Sequence, residues 1–174
     1  MAYALRLFFL LLVFWLSIST VRTIDLVDGV CGETNNPGFC KATLRSDRRS
    51  ATANLTGLGD VAIELTVGNS IAALTKIDRL KGQTKDAELK KRLDGCFLEY
   101  KLMVNNCANA SKYLAARNYR VMDVAGDFIM AEINQCDKVF LIPPSYPSPI
   151  TFENKKTSLL GGIIRTIARI LEAN

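Results

Sequence analysis

The chain has 174 residues, 49% of them apolar and 22% charged, and it contains no histidine. This length and composition are typical of one globular domain rather than of a disordered segment. Without an imidazole, Ser-His-Asp and Cys-His catalytic arrangements and histidine-ligated metal sites are excluded, and we predict no cofactor.

Residues 1–23 have the pattern of a secretory signal peptide. Arg6 precedes an apolar run from Leu7 to Leu16, and Ser17-Ile18-Ser19 provides a small-x-small cleavage pattern. The run is too short for a membrane anchor, which needs about 20 apolar residues. We therefore expect a secreted chain without membrane attachment after cleavage. Loss of Arg6 and Arg22 leaves 20 basic and 17 acidic residues, a net charge of +3.

A net charge this small does not indicate a nucleic-acid partner, and we predict none. The basic clusters Arg45/Arg48/Arg49 and Lys90-Lys91-Arg92 are interpreted as solvated faces.

Residues 24–50 are predicted to form a short helical hairpin ahead of the main domain. Two apolar segments, residues 24–31 and 39–44, flank the turn signal Asn35-Asn36-Pro37-Gly38. Cys31 and Cys40 lie on either side of this turn, so a disulfide between them would hold the hairpin together.

Residues 51–174 are predicted to form a four-helix bundle. No proline occurs between Pro37 and Pro143, which permits long helices. Apolar residues recur at intervals of three and four, as they do in amphipathic helices. We predict links at residues 82–84, 109–118 and 143–149, the second either a short helix or an irregular segment. The third contains four of the five prolines.

The four predicted helices differ in how their apolar residues are arranged. The first has two apolar faces, which indicates a centrally placed helix, and each of the others has one. The stripes are Ile63, Val67, Ile71 and Leu74 with a second face at Leu58, Ala62 and Leu65; Leu89, Leu93, Cys96, Tyr100, Met103 and Cys107; Met122, Ala125, Ile129, Ile133, Cys136 and Phe140; and Leu160, Ile163, Ile167 and Ile170.

The five cysteines of a secreted chain leave one thiol without a partner. Cys96 and Cys107 lie 11 residues apart on one predicted helix, about 16 Å, and cannot bond to each other. Cys136 therefore pairs with Cys96 or with Cys107, and the spacing leaves both open. A four-thiolate zinc site is disfavoured because the sequence has no Cys-x-x-Cys pair.

Short segments between residues 26 and 171 carry a family resemblance. Residues 31–40, Cys-Gly-Glu-Thr-Asn-Asn-Pro-Gly-Phe-Cys, have the form Cys-x-x-Thr-x-x-Pro-x-x-Cys, and Ser-Asp-Arg-Arg-Ser-Ala follows at residues 46–51. Leu93-x-x-Cys96-x-x-x-Tyr100 and Cys136-x-x-x-Phe140 lie in the second and third bundle helices. Together these segments resemble the plant invertase and pectin methylesterase inhibitor family. Residues 148–155 are similar to the last segment of pollen proteins of this family that are described as invertase inhibitors.

The resemblance implies an up-and-down bundle with disulfides Cys31–Cys40 and Cys96–Cys136. It leaves Cys107 as a free thiol on the core stripe, where cysteine is a small and inert hydrophobic residue. It also implies a secreted inhibitor, not an enzyme, that covers the active site of a carbohydrate-active enzyme in the apoplast or the vacuole. The partner would be an acid invertase (β-fructofuranosidase) or a pectin methylesterase (pectinesterase). We expect a monomer.

The segments that distinguish the two target classes are altered in this chain. Pectin methylesterase inhibitors share Ser-Ala-Ala-Leu-Thr on the third bundle helix, where this chain reads Asp-Phe-Ile-Met-Ala at residues 127–131, followed by Asn134. Invertase inhibitors share Pro-Lys-Phe at the entrance to that helix, where residues 118–121 read Asn-Tyr-Arg-Val. The segments at residues 46–51 and 148–155 favour invertase. The predicted target contacts are Asn118, Tyr119, Arg120, Asp123 and Asp127.

Two N-glycosylation sequons are present, Asn54-Leu55-Thr56 and Asn109-Ala110-Ser111. Asn109 lies about 200° around the helix from Cys107 and is predicted to face solvent. Asn54 is also a candidate helix N-cap, a role predicted to compete with glycosylation for its side chain.

Two other functions are less well supported by the sequence. Helix-spaced acids such as Asp123 and Asp127 are interpreted as a solvated face rather than as the carboxylate pair of a glycosidase. A secreted carrier of lipids or small ligands would need a cavity, and the stripes contain residues large enough to fill one.

Overall fold

The computed structural model describes residues 25–174, so the predicted signal peptide at residues 1–23 lies outside the described part. Within it all regular structure is helical, and a short 3₁₀ turn (Arg48–Ala51) follows the second helix. The helices are α1 (Leu26–Gly32), α2 (Pro37–Arg45), α3 (Leu55–Gln83), α4 (Ala87–Ala115), α5 (Tyr119–Leu141) and α6 (Thr151–Ala173).

The four long helices form a closed up-and-down bundle. Each packs against the next along the chain, and α6 also packs against α3. The hairpin of α1 and α2 contacts α6, and the 3₁₀ turn contacts α3. The predicted all-α class, with a helical hairpin ahead of a four-helix bundle and two disulfides, is confirmed. The predicted boundaries after residues 23 and 50 stay predictions.

The predicted stripes form the core of α4, α5 and α6. In α5 all six predicted positions are buried, and in α4 and α6 only Leu89 and Ile170 are half-buried. The largest fully buried side chains include Tyr100 and Phe140. Side chains of this size fill the bundle interior, as the stripes predict.

The prediction for α3 is confirmed at Leu58, Ala62 and Ile63, which are buried, and it is wrong at Ile71. This helix is a corner of the bundle rather than its centre, and Ile71 on the first predicted stripe is 53% exposed. Thr66 and Ser70 are buried instead, and their hydroxyl groups donate to the carbonyl oxygens of Ala62 (2.7 Å) and Thr66 (2.6 Å). These bonds satisfy both hydroxyls inside the core. The buried residues of α3 are Leu58, Gly59, Val61, Ala62, Ile63, Thr66, Ser70, Ala73 and Ile77.

Asparagine and aspartate side chains determine where the helices begin. The Asn54 Oδ1 atom accepts a hydrogen bond from the Gly57 amide (2.8 Å), and Asp86 Oδ1 accepts from the amides of Glu88 (2.9 Å) and Leu89 (3.1 Å). Such N-caps satisfy amides that have no partner within the helix. The N-cap at Asn54 uses Oδ1, whereas an N-glycan attaches to Nδ2, so the two roles do not exclude each other.

The link between α4 and α5 is shorter than predicted. We expected a short helix or an irregular link at residues 109–118, but α4 continues to Ala115 because Ala110 and Leu114 extend its buried stripe. The chain reverses over three residues, with Arg117 in the left-handed region at φ 55°. The Asn118 amide donates to the carbonyl oxygen of Tyr113 (2.9 Å), which closes the end of α4.

Two disulfides are present, Cys31–Cys40 and Cys96–Cys136, and these are the pairs that the family resemblance implies. The second joins α4 to α5, and the loop that it closes stabilises the fold by about 3–4 kcal/mol in the chain-entropy model. Cys107 is fully buried, and its burial raises the pKa of the thiol to about 12. The thiolate that would react is therefore essentially absent at neutral pH.

One member of the predicted basic faces is buried. Arg92 is only 4% exposed because its guanidinium donates to the carbonyl oxygens of Val139, Ile142 (3.0 Å) and Pro144 (2.8 Å) at the end of α5. The Val139 carbonyl lies in the last turn of α5, where Pro143 has no amide hydrogen to donate to it, and the other two lie just beyond the helix. The arginine satisfies all three. The interpretation of Lys90-Lys91-Arg92 as a solvated face is therefore wrong at Arg92.

Candidate functional site

The five predicted contact residues lie in the N-cap and the first half of α5. Asn118 is the N-cap, and its Oδ1 accepts a hydrogen bond from the Val121 amide (3.4 Å). The Tyr119 ring is half-buried against the core, and Arg120 is exposed. Arg120, Asp123 and Asp127 follow at intervals of three and four residues, so they share one face of the helix.

Asp123 and Asp127 are engaged by two arginines of α6. Asp123 Oδ1 lies 3.1 Å from Arg165 Nε and 3.2 Å from Arg169 Nε, and Asp127 Oδ1 lies 2.6 Å from Arg165 Nη1. We call these four residues the ion-pair network. Partly exposed pairs contribute about 0–1 kcal/mol each to stability. Their main effect is to fix side chains that the sequence analysis interpreted as a freely solvated face.

A close approach of α5 and α6 brings the network together. A Cβ atom built on Gly126 would lie 2.5 Å from Arg165 Cγ and 3.1 Å from the Gly161 carbonyl oxygen. Only glycine at position 126 allows the two backbones to lie at this separation. The Arg165 side chain therefore crosses directly over α5 to Asp123 and Asp127.

A groove beside the network separates the turn of the hairpin from α5 and α6. Its volume is about 150 Å³, and its walls combine polar groups of the hairpin with apolar groups of the bundle. It continues into a shallower groove of about 550 Å³ between α5 and α6, which contains Asn134. The wall residues include Thr34, Asn35, Asn36, Phe39, Met130, Arg165 and Arg169.

The two residues that correspond to the motif of pectin methylesterase inhibitors also lie on α5. Ala131 and Asn134 are both exposed on α5. Ala131, at the threonine position of that family motif, has no hydrogen-bonding side chain to offer a partner.

The side of α5 that faces α4 has an apolar groove that was not predicted from the sequence. Phe128 is 53% exposed and Val124 is 44% exposed, and both line a groove of about 110 Å³ between α4 and α5. Asn106, Asn109 and Tyr113 form its α4 wall. The four-residue spacing of Val124 and Phe128, off the core stripe, is the signal that could have revealed this second face.

Two carboxyl groups meet further along the boundary between α4 and α5. A hydrogen bond with Glu132, together with partial burial and the proximity of its charge, raises the pKa of Glu99 to about 7. One proton is therefore shared between the two side chains at mildly acidic pH. This pair makes the contact between α4 and α5 sensitive to pH.

Comparison with protein-family models identifies the class of protein. The family model described as plant invertase/pectin methylesterase inhibitor matches residues 25–141, more than half of the chain. The chain belongs to the plant invertase/pectin methylesterase inhibitor family, as its motifs indicated, and it is an inhibitor rather than an enzyme.

Individual relatives include inhibitors of both kinds. A pectinesterase inhibitor of Actinidia deliciosa is 27% identical over 84% of this chain and 79% of its own length. The cell wall/vacuolar inhibitor of fructosidase 2 of Arabidopsis thaliana is also 27% identical, over 88% of each chain. The crystal structure of a mutant form of a pectin methylesterase inhibitor from Arabidopsis superposes with a TM-score of 0.71 at 23% identity, over 81% of this chain and 93% of the other. This last similarity shows the fold.

No helix within residues 25–174 is long and apolar enough to cross a membrane. Arg165 and Arg169, which interrupt the apolar stripe of α6, belong to the ion-pair network.

Proposed function

We propose that the chain is a secreted inhibitor of an acid invertase, and that it binds over the active site of that enzyme. Family membership supports inhibition of a carbohydrate-active enzyme. The relatives named above do not choose between the two targets because they are equally identical to this chain. Residues 46–51 and 148–155 favour invertase, whereas the altered segments at residues 118–121 and 127–131 favour neither target.

The surface proposed to meet the target consists of Tyr119, Arg120, Asp123, Asp127 and Arg165, which we call the docking face. Asn118 caps the helix that carries it. Arg165 holds both aspartates in place before a partner arrives. A preformed surface loses less side-chain entropy on binding than a mobile one.

Arg120 is the exposed cation of the docking face. Within residues 25–174 it makes no ion pair, and it lies one turn before Asp123 on the same side of α5. A solvated guanidinium beside a half-buried tyrosine can bind a carboxylate bidentately. The active site of a glycosidase contains such carboxylates. Arg120 and Tyr119 are therefore the side chains proposed to contact carboxylates of the target.

Inhibition of pectin methylesterase is the second candidate. The Actinidia deliciosa relative, a pectinesterase inhibitor, favours it. Asn134 is exposed beside the groove between α5 and α6 and would supply the polar contact on that part of α5.

Secretion is part of the proposal. The signal peptide at residues 1–23 directs the chain to the apoplast, or alternatively to the vacuole, and the sequons at Asn54 and Asn109 are glycosylated on the way. The partner is thus an enzyme of the cell wall or of the vacuole.

The test uses the chain produced with its own leader in a secretory plant host. The purified, oxidised protein is mixed with plant acid invertase and, separately, with plant pectin methylesterase at mildly acidic pH. We expect invertase activity to fall to its residual level near one equivalent of inhibitor, with pectin methylesterase unaffected. The same chain after reduction and alkylation of both disulfides is the matched control and should inhibit less.

Inhibition of pectin methylesterase alone would replace the first candidate by the second. If neither enzyme lost activity, the proposed targets would both be wrong.

A further inference from the structure

The groove between α4 and α5 exposes apolar side chains that have no role in the proposed docking face. Val124 and Phe128 form its α5 wall. Leu102, which is also exposed, precedes Asn109 by seven residues, or two helical turns, and therefore lies on the same face of α4. A contiguous exposed apolar surface often marks a place where another group packs.

The acceptor of a sequon is itself part of the groove wall. Asn109 lines the groove together with Asn106 and Tyr113. The middle residue of the sequon, Ala110, is fully buried, and the third residue, Ser111, is exposed. The helix therefore directs Asn109 toward α5 while its neighbour packs into the core. A sugar on Asn109 Nδ2 would begin at the groove.

The chemistry of an N-glycan suits this surface. The first sugar, N-acetylglucosamine, has an acetamido methyl group and an apolar ring face that can contact Phe128 and Val124. Its hydroxyl and amide groups remain able to bind water and the Asn106 side chain. The sugar would remove apolar surface from water and leave a hydrophilic exterior.

We propose that Asn109 carries an N-glycan whose first sugar packs into the groove between α4 and α5 and covers Phe128. The glycan rests on the α4 side of α5, whereas the ion-pair network lies on the α6 side. This inference depends on the proposed secretion, because N-glycosylation takes place in the secretory pathway.

A single tryptophan can report on the groove by its fluorescence. The only tryptophan of the sequence is Trp15, within the predicted leader, so a Phe128→Trp variant of the cleaved chain contains one tryptophan, placed in the groove. The variant is secreted with Ser111 intact and with Ser111→Ala, which removes the sequon but keeps Asn109. Thr56→Ala, which removes only the sequon at Asn54, is the matched control.

Intact mass before and after enzymatic deglycosylation gives the occupancy of each site. We expect Asn109 to be occupied. Acrylamide should quench the tryptophan at position 128 less efficiently with the glycan than without it, because the glycan covers a side chain that is 53% exposed. Thr56→Ala should leave quenching unchanged. If Phe128→Trp does not fold, binding of an apolar dye to the unsubstituted chain replaces quenching, and Ser111→Ala should bind about twice as much dye.

Several results would overturn the inference, and they separate it from the proposed secretion. Occupied Asn54 with unmodified Asn109 would refute the inference and leave secretion supported. Equal quenching, or equal dye binding, with and without the glycan would show that the sugar points away from the groove. A chain that retains its leader and carries no glycan would refute both proposals.

Discussion

Replacing Gly126 by alanine tests whether the close approach of α5 and α6 builds the ion-pair network. The added methyl group would lie 2.5 Å from Arg165 Cγ, 3.1 Å from the Gly161 carbonyl oxygen and 3.3 Å from the Arg165 backbone nitrogen. A change of the Arg165 rotamer can relieve the first of these contacts, but the other two are with backbone atoms and need a shift of the helices by a few tenths of an ångström. The helices must separate, and Arg165 must move away from Asp123.

The magnitude follows from two opposing effects. Alanine gains about 1 kcal/mol over glycine within a helix, whereas overpacking costs about 1–3 kcal/mol. Because backbone atoms are involved, we place the cost at the upper end and expect a net loss of about 2 kcal/mol. This corresponds to a fall in Tm of about 4–8 °C for a chain of this size.

Gly162→Ala is the matched control, since a Cβ atom at Gly162 would meet no atom within 4 Å. It should raise the free energy of unfolding by up to about 1 kcal/mol. Urea unfolding of both variants, followed by circular dichroism, measures the difference. If Gly126→Ala were as stable as Gly162→Ala, the contact between α5 and α6 at Gly126 would not constrain the backbone, and our reasoning would be wrong.

Three further experiments test other features of the structure. Arg117→Gly should stabilise the chain by about 0.5–1 kcal/mol in urea unfolding, because glycine adopts the left-handed conformation at φ 55° without strain, and a loss of stability would contradict this. The raised pKa of Glu99, about 7, stabilises the fold below the pKa of this group in the unfolded chain, and this contribution is lost as pH rises through 7. The free energies of unfolding at pH 5 and pH 8 should therefore differ by about 1 kcal/mol from this source, after allowance for solvent exposure. Glu132→Gln should reduce the difference, because the hydrogen bond with Glu132 is the largest cause of the raised pKa and partial burial is the second. Asn154→Ala should lower the free energy of unfolding by about 2 kcal/mol, because Asn154 Oδ1 accepts a hydrogen bond from the buried Tyr100 hydroxyl (2.8 Å). The double variant with Tyr100→Phe should lose less stability than the sum of the two single variants. Strict additivity would show that the two groups do not interact.

Local periodicity was sufficient to predict most of the fold. The stripes of α4 and α5 repeat at three and four residues without interruption, and their positions are buried in the structure. The face of α3 was assigned incorrectly because Thr66 and Ser70 occupy core positions, where the backbone satisfies their hydroxyls. A scale of hydrophobicity does not count such residues as apolar.

The candidate site was less predictable because it depends on contacts between helices. The sequence indicated Asp123 and Asp127, but not that Arg165 from another helix engages both of them. That contact requires the small residue at position 126, and a glycine within a helix does not reveal which neighbour approaches it. Phe128 was missed because it lies off the core stripe.

The most direct test of the docking face compares inhibition of acid invertase by Arg120→Glu and Lys90→Glu. Both residues are exposed and make no ion pair within residues 25–174, and both substitutions change the net charge equally. Lys90 lies at the start of α4, far along the chain from the docking face. We expect Arg120→Glu to raise the inhibition constant tenfold or more, which is about 1.4 kcal/mol of binding free energy, and Lys90→Glu to leave it unchanged. Equal inhibition by the two variants and the unsubstituted chain would contradict the claim that the target binds through α5.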